Sequence, residues 1–379
     1  MKYLFKKKSY IFLIGLLDGI GASLFKLFKR NEQPMTGDNG RILIVRIDHL
    51  GDVLTATGIP RILKEKFPRS KLVFLTSSWA AALLENSPFV DEILIYDAPW
   101  FSKNRYARDP RSLRFFKLIA ELRKRRLDLA LGLRGDLREN FMLWLSGIRC
   151  RVGYGITGGG FFLTQELRYR QNVHESEHAT DLLESLGLHC NRLLPQIYFS
   201  ERESKAVAAR FPELFASKKR EWIGFLSDAG SSSKEWPVEH TAEFFKRFTE
   251  RFPSHGIVLL GSARRQHEIA VSNRSQFMDL RVKTSLRELC YLIPQFRAFV
   301  GPDSGPSHLA AALGVPTVFL YSGTNRFEQW KPLSEAAVVL RKEVPCSPCG
   351  LEVCNVDGHP CMTNIQATEV LSCLEKSLP

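Results

Sequence analysis

The sequence predicts an α/β protein made of two doubly wound halves. The chain has 379 residues, where an ordinary domain has about 100–200. Short apolar, β-rich runs alternate with helical patterns, a spacing that implies parallel sheets covered by helices on both faces. That alternation also fades once and restarts. A composition of 44% apolar and 25% charged residues is globular and excludes disorder, collagen and coiled coil as descriptions of the whole.

Residues 1–40 stand apart as a membrane-associating helix and linker. Tyr10 to Phe28 is mostly apolar, with Lys6-Lys7-Lys8 before it and Lys29-Arg30 after it. The K-R-N-E-Q-P that follows Phe28 offers no small-residue cleavage site, which argues against a signal peptide. The uninterrupted apolar run ends at Leu17, and Asp18, Lys26 and three glycines leave it short of the ~20 apolar residues of a span. Basic flanks around apolar bulk fit an amphipathic helix lying at the interface of an anionic membrane. Residues 31–40 read as a polar linker.

The first half, residues 41–200, reads strand Ile42–Ile47, helix Val53–Phe67, strand Leu72–Thr76, helix Trp79–Glu85 and strand Glu92–Tyr96. Then come a basic irregular stretch Phe101–Arg111, helix Ser112–Arg126, strand Leu127–Leu133 and helix Glu139–Ser146. Gly153–Gly160 breaks the pattern, and Ala179–Leu188 is helical. No strong strand signal follows, so residues 201–220 are read as the linker. The second half, 221–379, restarts with strand Glu221–Leu226, helix Val238–Phe252, strand Gly256–Leu260 and helix Arg264–Ser275. It continues with helix Leu286–Ile293, strand Ala298–Val300, helix Ser307–Leu313 and strand Thr317–Tyr321. In such sheets ligands bind beyond the carboxyl ends of the strands, at a cleft, so the loops after strands are where chemistry is sought.

The formal charge of +13 has a location. Residues 1–41 hold eight Lys/Arg against three Asp/Glu, and residues 101–151 hold fourteen against five. The two surpluses exceed the net charge of the whole chain, so the remainder is near neutral. Such a surface calls for an anionic partner. The basic residues lack aromatics interleaved at the spacing of a nucleic-acid module, which leaves an anionic membrane or a phosphorylated substrate within it.

Three loops carry candidate chemistry. After the first strand the chain reads R-I-D-H-L-G-D-V-L, placing Asp48 and Asp52 at a strand-to-helix junction where Gly51 allows a tight turn. Either Asp also suits a plain helix cap. The G-x-G-x-x-G fingerprint is absent, which excludes a nicotinamide site. After Leu226 comes S-D-A-G-S-S-S-K-E-W-P, whose hydroxyls at Ser231 and Ser232 and cation at Lys234 suit a phosphate, without Walker A spacing. After Val300 comes G-P-D-S-G-P-S-H-L-A-A-A-L-G-V-P, with Pro306 opening a helix and Gly314 and Pro316 closing it. Free amides from Gly305 to His308 make an anion site. Asp303 beside it orients the turn or meets a ligand hydroxyl. His308 suits either a phosphate or plain packing.

Taken together, I-L-I-V-R-I-D-H-L-G-D-V-L, S-S-S-K-E-W-P and V-G-P-D-S-G-P-S-H-L-A-A-A-L-G-V-P-T resemble glycosyltransferase family 9, the lipopolysaccharide heptosyltransferases, over residues 41–375. The resemblance implies the GT-B architecture, two Rossmann-like domains with the acceptor bound by the first and the donor by the second. It also implies inverting, metal-independent transfer from a nucleotide-activated sugar such as ADP-heptose to a lipid-linked saccharide, with no cofactor. On that resemblance Asp52 is the general base, and Asp48, Gly51 and Arg134 belong to the acceptor side. Lys234, Ser231, Ser232, Asp303, Ser304, Gly305 and His308 face the donor, and Glu268 is the candidate ribose contact. The implied location is the cytoplasmic face of the inner membrane, as a peripheral protein. A GT-B sugar-nucleotide epimerase needs neither the anchor nor the basic face. A non-catalytic sugar-nucleotide-binding protein would not need Asp52, Lys234 and the Gly305 turn intact.

Of eight cysteines, four crowd into residues 346–361, a distribution that points to a reducing compartment rather than a disulfide framework. Cys346, Cys349, Cys354 and Cys361, with His359 nearby, form a C-x₂-C-x₄-C-x₆-C array. It could hold a structural zinc, form disulfides or stay reduced. In each case the segment is structural rather than catalytic.

Overall fold

The structure, a computed structural model, describes residues 8–26, 38–101, 111–215, 220–262 and 274–378. The chain divides into two compact units, Met1–Pro195 and Gln196–Pro379.

The first unit holds β1 (Arg41–Val45), β2 (Lys71–Thr76), β3 (Glu92–Ile95), β4 (Leu129–Gly132), β5 (Cys150–Gly153) and β6 (Gln165–Glu166). Its helices are α1 (Lys8–Lys26), α2 (Leu50–Ala56), α3 (Ile59–Lys66), α4 (Arg111–Lys124), α5 (Leu137–Leu145) and α6 (Glu175–Glu184). The strands form one sheet in the order β3-β2-β1-β4-β5-β6, and every pairing is parallel. Ile42 to Val45 are fully buried, as a central strand covered on both faces must be. The chain runs outward from β1 to β3 and then returns to lay β4 on the other side of β1. The β1/β4 junction is therefore the switch point, where loops diverge and leave room for a ligand.

Four local expectations change. The helix expected over Val53–Phe67 is two helices, because Pro60 cannot donate a backbone bond and Gly58 lies against the Leu194 carbonyl. Trp79–Glu85 shortens to a 3₁₀ turn at Ala81–Leu83. α6 starts four residues before the expected Ala179, because His174 and Glu177 form a capping box, and it ends before Gly187, whose φ is +72°. The 201–220 linker instead contains two helices of the second unit, the first capped by Ser200 accepting from the Glu203 N–H.

Residues 8–26 form a helix, and α1 is docked on the first unit rather than separate from it. The Asp18 carboxylate is buried and accepts from the Gly159 N–H at 2.8 Å. Gly21 passes under the Phe161 ring with no room for a Cβ. Phe12, Leu13, Leu16, Leu17, Ile20 and Leu24 remain at least half exposed. No described helix is long and apolar enough to cross a membrane.

The second unit holds β7 (Glu221–Leu226), β8 (His255–Leu260), β9 (Phe277–Asp279), β10 (Ala298–Pro302), β11 (Thr317–Tyr321) and β12 (Ala337–Arg341). Its helices are α7 (Glu201–Arg210), α8 (Pro212–Phe215), α9 (Val238–Arg251), α10 (Leu286–Leu292), α11 (Gly305–Ala312), α12 (Phe327–Trp330), α13 (Pro360–Thr363) and α14 (Ala367–Ser377). The strand order β12-β11-β10-β7-β8-β9 repeats the plan of the first unit, with the switch point between β7 and β10. Phe244 and Phe248 of α9 pack with Phe225, Val370 and Leu374 in one apolar core beside the sheet. The helix expected at Arg264–Ser275 falls mostly outside the described residues.

Candidate active site

Each unit gathers its charged residues at its own switch point. In the first unit the backbone leaves β1 through Arg46 and Asp48 and enters α2, so Asp52 sits in the first helical turn. Arg46 is 3% exposed and sits among three carboxylates: Asp48 at 3.0 Å, Asp52 at 2.7 Å and Glu175, from the start of α6, at 2.9 Å. Burial works against the Arg46 charge, but these three anions outweigh it and hold the guanidinium charged. Asp52 also accepts from the His49 N–H at 3.2 Å. Its carboxyl is pushed from 3.8 up to about 7, first by burial and then by Asp48, with Arg46 opposing. A carboxylate of that kind is a stronger proton acceptor near neutral pH than an ordinary Asp.

Arg134, after β4, donates to Asp48 at 3.1 Å and lies 4.1 Å above the Phe101 ring. Gly51 is in the first turn of α2 and is not among the residues with positive φ. The tight turn expected of it is not formed. A Cβ there would meet nothing within 4 Å beyond its own helix, so the space over Gly51, the residue before Asp52, is open.

Sequence reading missed Arg46, Glu175 and Glu139. Glu139 is 1% exposed, neither carboxyl oxygen has a hydrogen-bond partner, and burial with Asp136 and Asp48 nearby pushes it up to about 8. Burial thus favours the neutral form of this acid behind the site. Arg46 stands in the quoted R-I-D motif, and its place directly after a buried strand was the signal available. Glu175 is 129 residues from Arg46 and carried no local signal.

In the second unit, Lys234 follows β7 and Asp303 follows β10. The Lys234 ammonium reaches Asp303 Oδ2 at 2.8 Å and its backbone carbonyl at 3.1 Å. His308 Nε2 lies 2.9 Å from Asp303 Oδ1, and Asn325 donates to Oδ2 at 2.8 Å. Burial pushes Asp303 up, but the His308 hydrogen bond and the Lys234 charge outweigh it and hold it at about 2. Asp303 is thus the anion that holds Lys234 and His308 in place.

Ser304 caps α11, and among the described residues its hydroxyl has no hydrogen-bond partner. Gly305 opens the same helix, so its amide end lies beside Asp303. Ser231 Oγ pairs with Ser233 Oγ at 3.1 Å, and Ser232 Oγ donates to the Glu352 carbonyl at 3.3 Å. Ser232 therefore ties the loop to the cysteine-rich segment rather than standing open. Glu268 lies outside the described residues.

The cysteine-rich segment holds the Lys234 loop from behind. Ser233 donates to the Leu351 carbonyl at 2.5 Å, and His359 Nε2 meets the Ser233 carbonyl at 2.9 Å. Cys346, Cys349, Cys354 and Cys361 line one small cavity there with Ser233, Thr324 and His359, and all four are free thiols. Among the described residues no set of three or more His, Cys, Asp or Glu is placed to hold a metal. No disulfide joins the four cysteines, and the segment packs as one loop behind Ser233.

The basic stretch 101–151 is partly neutralised locally. Arg125 pairs with Glu92 at 2.6 Å and Glu121 at 3.1 Å, and Arg123 donates to the Leu145 carbonyl at 2.7 Å. Arg105 and Arg108 lie outside the described residues.

The family model described as Glycosyltransferase family 9 (heptosyltransferase) matches residues 115–359, more than half of the chain. The chain belongs to that family. It is a glycosyltransferase, and the match favours transfer over the epimerase reading. Among similar proteins, lipopolysaccharide heptosyltransferase 2 of Escherichia coli K12 is 28% identical over 331 residues, 79% of this chain and 88% of the relative. The solved structure of E. coli ADP-heptose lps heptosyltransferase II covers 89% of this chain and 98% of its own, at 24% identity and a TM-score of 0.71. A family 9 glycosyl transferase from Veillonella parvula covers 91% and 99%, at 19% identity and a TM-score of 0.77. These likenesses match the two parallel sheets with flanking helices, the GT-B fold expected from the sequence.

Proposed function

We propose that this family 9 enzyme moves a heptose or related sugar from a nucleoside diphosphate, ADP-heptose or close to it, onto a lipopolysaccharide core or other lipid-linked saccharide, with inversion at the anomeric carbon. The observation that carries the reading is Asp52, a buried carboxylate held on Arg46 at the switch point of the first unit, with open space over the preceding Gly51. As the acceptor hydroxyl attacks the anomeric carbon, its proton passes to Asp52. The anomeric C–O bond to phosphate breaks, and the nucleoside diphosphate leaves with the electron pair. Lys234, His308 and the amide end of α11, rather than a divalent cation, meet that negative charge. The names of the relatives support the choice of sugar and acceptor.

The same reading places the enzyme on the cytoplasmic face of the inner membrane, peripherally. The exposed apolar face of α1, flanked in sequence by Lys6–Lys8 and Lys29-Arg30, supports an anionic bilayer surface as partner. The test is transfer from ADP-heptose to a truncated, detergent-solubilised lipid-linked core, followed by mass spectrometry of the product and NMR of its anomeric configuration. A gain of one heptose with inverted configuration is expected. Donor hydrolysis with no acceptor requirement, or a retained configuration, would overturn the reading.

A further inference from the structure

The Arg46 cluster contains more anions than a catalytic base needs. One buried guanidinium faces Asp48, Asp52 and Glu175, all less than a tenth exposed. A single Arg–Asp pair would satisfy the charge of the arginine and would also hold the Asp as a stable, weakly basic anion. The third carboxylate changes this. Asp52 and Glu175 share one nitrogen, Arg46 Nη2, at 2.7 and 2.9 Å. Glu175 is in turn held by the Tyr169 hydroxyl, which donates to its other oxygen at 3.1 Å. Glu175 comes from α6, an element with no other assigned part in the chemistry. Leaving a third carboxylate buried is costly unless its position is used or well compensated.

We propose that Glu175 is a positioning residue for the sugar transfer: by sharing Arg46 Nη2 with Asp52, it prevents a private Arg46–Asp52 ion pair and keeps Asp52 available to take the acceptor proton. This rests on the reading of Asp52 as the base. The groups facing Asp52 are Arg46 and Asp48 from its own loop and Glu175 from α6. Tyr169 and His178 stand behind Glu175, while Arg134 and Glu139 stand behind Asp48. Removing the Glu175 charge leaves Arg46 to Asp48 and Asp52, so Asp52 binds its proton less tightly.

The experiment is the pH profile of kcat/KM for the full chain and for Glu175→Gln, Glu175→Ala, Glu175→Asp and Asp52→Asn, with thermal melts of each. The two charge-removing variants should move the acid limb down by about one pH unit, within the range for loss of a neighbouring charge, and lower the plateau several-fold. Glu175→Asp keeps the charge and should hold the limb near that of the parent. Two variants remove the charge so that one folded representative suffices, and failure of both to fold would assign Glu175 to stability alone and overturn the proposal. A uniform loss of rate with the limb unmoved would overturn it as well. Parental activity in Asp52→Asn would instead remove the base reading itself. An inactive Asp52→Asn beside an unmoved limb in Glu175→Gln would reject the Glu175 role alone.

Discussion

Replacing Asp52 with asparagine should slow the enzyme and stabilise it, and the stabilisation should depend on pH. The substitution keeps the shape of the side chain and an oxygen for Arg46, gives up the bond from the His49 N–H to the second oxygen, and removes one of three negative charges facing a single guanidinium. The Asp52 carboxyl is raised from 3.8 to about 7. The folded protein therefore takes up a proton between about pH 4 and 7 that the unfolded chain does not. Its stabilising effect is complete below pH 4 and is lost as pH rises through 7. At 1.36 kcal/mol per unit, the parent loses about 3 kcal/mol between pH 5 and pH 8 from this group, an upper bound because Asp52 is one of three carboxylates around a single guanidinium. The asparagine variant has no such loss.

The melting temperature of the variant, relative to the parent, should thus rise from pH 5 to pH 8 by up to about 6–12 °C for a unit of this size. Turnover should fall at least about 10²-fold. Thermal melts at four pH values and a steady-state transfer assay provide both readings. A melting difference that stays constant with pH would refute the burial argument for Asp52, and near-parental turnover would refute its role as base.

Three further outcomes follow. Lys234→Ala removes the cation held by Asp303 and should weaken binding of the free nucleoside diphosphate about 10–100-fold by calorimetry, the range for one charged hydrogen bond; equal affinity would mean that Lys234 does not meet phosphate. His359→Ala releases the Ser233 carbonyl and should weaken the same ligand several-fold while leaving melting nearly unchanged; unaltered affinity would remove the segment's bracing role. Phe12, Leu16 and Ile20 lie one helical turn apart on the exposed face of α1. Changing all three to serine should release the protein from anionic vesicles at moderate salt while preserving activity on a soluble acceptor, and full sedimentation of the variant would refute docking through that face.

The sequence alone determined the two-unit α/β plan, most strands and the three loops that end at the switch points. Buried parallel strands are continuous apolar runs, and Gly, Pro, Ser and Asp mark the turns after them, so these features are encoded within a few neighbouring residues. Asp52, Lys234 and the Asp303–His308 turn were legible for that reason. What those residues do to one another was not. Lys234 and Asp303 are 69 positions apart, and only the return of β10 alongside β7 makes Asp303 the partner of Lys234. Asp18 read as a flaw in an apolar helix until the Gly159 N–H was found against it. Glu175 lay before the helix read from Ala179 onward and stood out in no local pattern. The packing of α6 against α2 buries it on Arg46, where low polarity and shared charge set the proton affinity of Asp52. Local pattern specifies the elements, but the electrostatics of a buried site depend on distances between residues far apart in the chain, and the fold alone decides those.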